Sequence, residues 1–329
     1  MSTDIAPIFK FSKTLAAATA DVIEAWLRGR NALTRRGYLS DLGQFALWAK
    51  APSDHAVVDS LLRLKPGDAN RIVLAYRADM VEAGLSSSTI NRRLAALRSM
   101  VKVGRLIGAV TWSLDIENVK SEAKGDMRGP GLADLQLMTR AAAAMGDRKP
   151  ARRDRAVLAI LFDLGLRRAE LCGLDLADVE VSSDGLPMAV WIIGKGHREK
   201  QRLTLPEATG RALAEWIQAR GTEPGPLFQR CDGHQVVADV RLSGESIRQL
   251  VGRLGIAAGV SRTVRPHGLR HAAATTALDS GRDVRDVRKF TRHATLDMVL
   301  RYDDQRRDTA GEIAALLSRR RQDRGKPRP

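Results

Sequence analysis

A mainly α-helical fold in two domains, with a small β-hairpin or sheet in the second, is what this sequence predicts, and three observations carry it. Apolar residues recur at three- and four-residue steps through most of the chain. That periodicity fails in a polar stretch rich in breakers, ENVKSEAKGDMRGPG. Two short alternating runs, MAVWIIG and KQRLTL, flank the turn GKGHRE. At 329 residues and 44% hydrophobic content, the chain exceeds one ordinary domain and carries apolar material for two modest cores.

Residues 1–17 read as an N-terminal tail, too short for a separate folded module. From 18 to 116 the pattern is helical, with Tyr38, Leu42, Phe45 and Trp48 at helical spacing. Gly84 ends one helix, and Ser86, Ser87 and Ser88 start the next. That helix, SSSTINRRLAALRSMVKVGRL, places Ile90, Leu94, Leu97 and Val101 on one face and leaves Arg92, Arg93, Arg98 and Lys102 off it. A cationic face of this kind suits DNA phosphates or plain solvation, and both readings stand at this point.

Residues 117–130 form the expected linker. The second domain, 131–318, opens with the helical stretches LADLQLMTRAAAAM and RRDRAVLAILFDLG, passes through the hairpin, and resumes as helices at 206–220, 244–258 and 266–280. Short helical pieces follow to Arg319, and the basic, breaker-rich segment 319–329 is expected to be a disordered tail.

The charge balance points to a polyanion. Lys and Arg total 54 against 38 Asp and Glu, a formal net charge of +16, which favours nucleic acid as partner, with anionic lipid as the alternative. Cys172 and Cys231 are too few and too far apart for a disulfide framework or a zinc site, which fits a reducing cytoplasm. The first residues lack the apolar core and cleavage site of an export signal, and no apolar run is long enough to span a bilayer, so a cytoplasmic, nucleoid-associated protein without a membrane partner is expected. Neither a GxxxxGK[ST] phosphate loop nor an HExxH metal pair occurs, and no cofactor or metal is expected.

Four clusters in the second domain hold residues suited to a phosphodiester: Arg167 in GLRRAEL, Lys195 in GKG, His267 and Arg270 in PHGLRH, and His293 nine residues before Tyr302. The transition state of phosphoryl transfer puts charge on the non-bridging oxygens, and preorganised arginine forks meet it best. Pro266 favours a first helical turn, so His267 and Arg270, three apart, share one face. A phenol titrates near pH 10. Tyr302 therefore needs cationic neighbours to attack phosphorus, and in isolation a tyrosine in MVLRYDDQ is far more often a packing residue than a nucleophile. A leaving 5′-oxygen must gain a proton, which a lysine on a hairpin can bring; Lys195 lies between two glycines, and Lys200 is its rival.

Taken together and in order, GLRRAELCGL, GKG, HGLRHAAAT and HATLDMVLRY resemble the tyrosine recombinase (phage integrase) family, most of all its Xer-type members. The early segments TRRGYLSDLGQFALWA and LSSSTINRRLAALRSM look like the helical core-binding domain of such enzymes. The resemblance implies a two-domain, C-shaped clamp around DNA and a site-specific recombinase that works through a 3′-phosphotyrosine and a Holliday junction. It implies Tyr302 as nucleophile, Arg167 and Arg270 as phosphate clamps, Lys195 as general acid, His267 in proton transfer and His293 bonded to the phosphate. The implied partners are double-stranded DNA with an inverted-repeat core site and a homotetramer on two such sites, with room for a second recombinase or an accessory protein. A type IB topoisomerase-like or tyrosine-transposase activity, and a DNA-binding regulator without catalysis, are the alternatives.

Glu170 occupies a place where the family often has a carboxylate, and it either orients an arginine or pairs with one at the surface; His271 reads as structural. Where family members often have Leu-Gly before the histidine, this chain has Thr291-Arg292, which strains Arg292 if the turn needs a positive φ. The hairpin after Lys195 is about one residue longer than usual, which keeps Lys200 in contention.

Overall fold

A computed structural model describes residues 17–120, 129–194 and 199–303, together with helical residues at 311, 314–315 and 317–318; the tails, residues 121–128 and Lys195 lie outside the described residues. Two compact units divide the chain, Met1–Gly125 and Asp126–Pro329.

The first unit is five helices: α1 (Ala17–Leu27), α2 (Ala32–Trp48), α3 (Asp54–Leu62), α4 (Pro66–Glu82) and α5 (Ser87–Leu106). Local chemistry sets their starts. Asn31, Ser53 and Ser86 stand in extended conformation and accept N–H bonds from Thr34, Ala56 and Thr89 at 2.8, 3.1 and 3.3 Å. Pro66 opens α4, where its missing N–H costs nothing. The apolar face of α5 is buried as its periodicity requires, Ile90, Leu94, Leu97 and Val101 meeting Trp26, Phe45, Val57 and Ile72 in one core. Each such side chain stabilises the unit by roughly 1.5–3 kcal/mol relative to exposure. Trp26 stacks on Tyr38 with ring centroids 4.7 Å apart and donates to Ser99 at 3.0 Å, so its rings hold α1 to α2 and its polar edge holds α1 to α5.

The second unit begins with α6 (Leu132–Ala144), α7 (Lys149–Asp163) and the short α8 (Arg168–Cys172). An antiparallel sheet follows, ordered β1 (Val179–Val181), β2 (Pro187–Ile193) and β3 (Lys200–Thr204), with Ile193 opposite Lys200 at the base of the turn. Then come α9 (Glu207–Arg220), a second antiparallel pair β4 (Gln229–Asp232) and β5 (Gln235–Arg241), α10 (Gly244–Ala257), α11 (Pro266–Asp279), α12 (Val284–Thr291) and α13 (Asp297–Asp303). The fold is mainly helical with small sheets, as the periodicity requires, but the sheet has three strands and the β4–β5 pair was not expected. β1 is only three residues long, and most of β5 is exposed, so neither writes an apolar alternation into the sequence.

Buried Ala189, Val190 and Ile192 turn β2 toward the core, where Leu213 and Trp216 of α9 meet Leu161 of α7 and Leu250 of α10. A smaller cluster of Ala274, Leu278, Val287 and Val299 ties α11, α12 and α13 together. That cluster seats the helix that carries Tyr302 on the helix that carries Arg270.

Candidate active site

Arg167 stands at the N-cap of α8, in extended conformation, immediately before the turn of helix that brings Glu170 back to it. Glu170 accepts from the Arg167 backbone N–H at 2.8 Å and from its Nη1 at 2.7 Å, while Arg167 Nη2 donates to the Arg292 carbonyl at 2.9 Å. Glu170 is therefore no surface partner: it is buried and orients the arginine. Burial alone raises its pKa, but the Arg167 N–H, the Arg292 charge and the Arg167 guanidinium overcome that and hold it below the usual range.

Arg270 lies on α11, 0% exposed, and its Nη1 donates to the Gly165 carbonyl. Gly165 has φ 53°, and a Cβ there would stand 3.1 Å from the Phe290 ring, so glycine is the residue that lets this carbonyl face the arginines. His267 lies one turn earlier on the same helix, exposed at the rim of the site but crowded. Partial desolvation, then the Arg270 and Arg167 charges, lower its pKa, so its imidazole is neutral at pH 7.

His293 follows Arg292, which ends α12 in the left-handed conformation at φ 54°, ψ 43°. The expected strain at Arg292 is thus present, about 1–2 kcal/mol for a residue with a Cβ. Its side chain, which the sequence reading did not use, is almost buried and turns into the site. Nη2 donates to Glu170 at 3.1 Å and to the Gly165 carbonyl at 3.0 Å; Nη1 donates to the carbonyls of Phe290 at 2.8 Å and Leu164 at 3.3 Å. Two guanidinium groups, those of Arg167 and Arg292, thus share the Glu170 carboxylate, and Arg292 and Arg270 share the Gly165 carbonyl.

The His293 ring is buried, with Nδ1 2.9 Å from Thr291 Oγ1. The Thr291 hydroxyl gives its proton to the Val287 carbonyl at 2.7 Å, so the contact makes His293 Nδ1 the donor and leaves Nε2 as the acceptor of the neutral ring. Burial first, then the charges of Arg270 and Arg167, with smaller contributions from His267 and Arg292, push its pKa down to about 4. The unfolded chain protonates this histidine near its ordinary value of about 6.5 and the folded one only near 4, so acid in that window favours unfolding. Melting temperature is expected to fall between about pH 6.5 and about pH 4, and less steeply in His293→Gln. Imidazole NMR on the folded protein is expected to show His293 neutral above about pH 5; a midpoint near 6.5 would contradict the buried, cation-lined setting.

Tyr302 lies on α13, whose Val299 is fully buried against α11 and α12; its side chain is outside the described residues. Lys195 is outside them too. Lys200, its rival, is half-exposed on β3 and paired with the buried carboxylate of Asp178, whose hydrogen bond raises the lysine pKa. His271 is buried on α11 with Nδ1 3.4 Å from Thr275 Oγ1. Among the described residues no group of His, Cys, Asp or Glu is placed to hold a metal ion.

The basic residues of α5 have varied surroundings in their own unit. Arg92 pairs with buried Asp41. Arg93 Nη2 donates to Gln44 at 3.0 Å. Arg98 holds the 116–118 segment through the Ile116 carbonyl and, at 2.7 Å, Asn118. Lys102 is exposed.

Residues 135–308 match the model of the phage integrase family. A tyrosine recombinase of Synechocystis sp. is 35% identical over 312 residues, covering 92% of this chain and 96% of that protein. The tyrosine recombinase XerC of Corynebacterium efficiens is 31% identical over 280 residues, covering 82% of this chain and 79% of its own. Among solved structures, a lambda integrase tetramer bound to a Holliday junction superposes with TM-score 0.65 at 15% identity, over 92% of this chain and 81% of that one, a likeness of fold. No helix among the described residues is long and apolar enough to cross a membrane.

Proposed function

The chain belongs to the phage integrase family, and from that premise we propose that Tyr302 is the nucleophile that attacks a DNA phosphodiester held by Arg167 and Arg270. It is a tyrosine-type site-specific DNA recombinase of the Xer kind. One observation carries the assignment of roles: Arg167, Arg270, His267 and His293, drawn from three separate stretches of sequence, act electrostatically on one another, and the helix bearing Tyr302 is packed on the helix bearing Arg270.

In the proposed reaction the Tyr302 oxygen bonds to phosphorus as the bond to the 5′-oxygen breaks, leaving a 3′-phosphotyrosine and a 5′-hydroxyl. The phenol proton passes to a neutral acceptor; His267 at the rim of the site fills that role. Lys195 protonates the leaving oxygen, while Lys200, engaged with Asp178, holds the base of the hairpin. A bound phosphate offsets the Arg270 and Arg167 charges that, after burial, keep His293 neutral, which lets it take a proton and donate to a non-bridging oxygen. A 5′-hydroxyl from the partner duplex then reverses the chemistry, so bond energy is conserved and no nucleotide is consumed.

Residues 18–116 act as the core-binding domain, with Arg92, Arg93, Arg98 and Lys102 on its DNA side, residues 117–130 as linker and 131–318 as the catalytic domain. The substrate is double-stranded DNA with an inverted-repeat core, because a symmetric pair of protomers reads symmetric half-sites. Four protomers on two sites exchange strands through a Holliday junction, as the lambda integrase tetramer is seen on such a junction. Work in the cytoplasm, at the nucleoid, fits a DNA substrate and two cysteines that form no disulfide; a second recombinase or accessory protein is compatible with this scheme.

Incubation with nicked duplexes from the source genome, followed by SDS and sequencing of protein-linked DNA, tests this reading. One inverted-repeat sequence on a 3′-linked adduct is the expected result. Relaxation of any supercoiled plasmid without a defined site would mean a topoisomerase, and binding without adduct a regulator. Affinity is expected to fall roughly a thousandfold or more between 50 and 200 mM salt if six or more phosphates are contacted, measurable by fluorescence anisotropy; a flat response would sink the phosphate-gripping picture.

A further inference from the structure

The turn before His293 is built in a way that stability by itself does not explain. Arg292 occupies a left-handed position that glycine would take without strain, and its buried Nε makes no hydrogen bond among the described residues. A glycine would avoid both costs. What the arginine adds is connection. Its Nη2 reaches Glu170 at 3.1 Å, the same carboxylate that orients Arg167, and the Gly165 carbonyl at 3.0 Å, the same carbonyl that Arg270 bonds. Its backbone carbonyl receives Arg167 Nη2 at 2.9 Å, which closes the circuit.

We propose that Arg292 is a positioning residue that locks the two phosphate-binding arginines to each other, its guanidinium bridging the carboxylate that orients Arg167 and the carbonyl that orients Arg270. Nη2 makes both contacts, and the other arm of the fork, Nη1, is held by the carbonyls of Phe290 at 2.8 Å and Leu164 at 3.3 Å, which fixes Nη2 between its two partners; an ammonium has no second arm to be held in this way. Because α12 ends at this residue, the same bridge also fixes where His293 begins. The proposal rests on the reading of this site as a strand-cleavage centre.

The experiment compares wild type, Arg292→Gly and Arg292→Lys for DNA affinity and for the rate of covalent adduct formation on a nicked duplex at saturating protein. Glycine relieves the strained backbone and offsets part of the lost hydrogen bonds, so the variant is expected to stay folded at assay temperature with a lowered melting temperature, and to bind DNA within about threefold of wild type, since it keeps the direct phosphate contacts. Its cleavage rate is expected to fall by about tenfold to a hundredfold, because misplaced clamps act on the transition state rather than on binding. Arg292→Lys is expected to recover less than about a fifth of the lost rate, as it restores charge without the anchored second arm that fixes the bridge. On a duplex with a neutral methylphosphonate at the scissile position, which needs less cationic stabilisation, the wild-type to glycine ratio is expected to shrink to about threefold or less.

Equal cleavage by wild type and Arg292→Gly would overturn the positioning role, and so would full rescue by lysine or an undiminished deficit on the methylphosphonate, which would mean a general loss of structure. Absence of any adduct from wild type on nicked genomic duplexes is a different result: it would overturn the cleavage reading itself, and this inference with it.

Discussion

Tyr302→Phe is expected to bind its DNA site as wild type does and to form no SDS-resistant adduct, with recombination lowered by about 10^4-fold or more. The change removes one oxygen and keeps the ring, so whatever packing the ring supplies is retained. In the proposed mechanism no neighbour replaces the lost phenol, because His267 and His293 are assigned to proton transfer and charge stabilisation rather than bond formation to phosphorus. The check is a denaturing gel of labelled nicked duplex with wild type and variant in parallel, beside anisotropy for binding. A variant that still traps DNA would place the nucleophile elsewhere and void the assignment.

The second large effect is at Arg270. Arg270→Ala is expected to slow adduct formation by about 10^2- to 10^3-fold, the usual loss when a preorganised donor to a developing oxyanion is deleted. Affinity is expected to change far less, because most phosphate contacts lie outside the reacting centre. Arg270 is also wholly buried between α11 and the Gly165 turn, so its removal leaves a void and takes one donor from the Gly165 carbonyl. A stability loss of about 2–4 kcal/mol is expected from denaturant midpoints. Arg270→Lys separates the two roles. It keeps charge and much of the volume, so stability returns in large part, whereas the rate stays low because an ammonium lacks the fork that holds the carbonyl and two phosphate oxygens together. A lysine variant with wild-type rate would show that charge, not geometry, matters here.

Much of this molecule was legible before any coordinates. The helical face of Ile90, Leu94, Leu97 and Val101 is buried as its spacing demands. The serine start at Ser86 and the proline start at Pro266 mark real helix N-termini because capping and ring geometry are local properties. The β2–β3 hairpin followed from alternation, whereas β1 and the β4–β5 pair did not, being short or mostly exposed.

At the site, sequence and fold divide the work differently. The residue types and order around Arg167, Arg270, His293 and Tyr302 were set by the amino acids themselves, because phosphoryl transfer needs forks, imidazoles and a phenol, and few sequences supply them in that order. The charge of +16 likewise pointed to a polyanionic partner. Thr291-Arg292 stood out in the sequence as a strained turn and nothing more, since a φ preference is local while the reach of a guanidinium to Glu170 and Gly165 is not. Glu170 could be a surface partner or an orienting carboxylate until burial decided it, and no local pattern pairs Lys200 with the buried carboxylate of Asp178. Those outcomes depend on which elements pack together, and packing is a property of the whole core that no local pattern encodes.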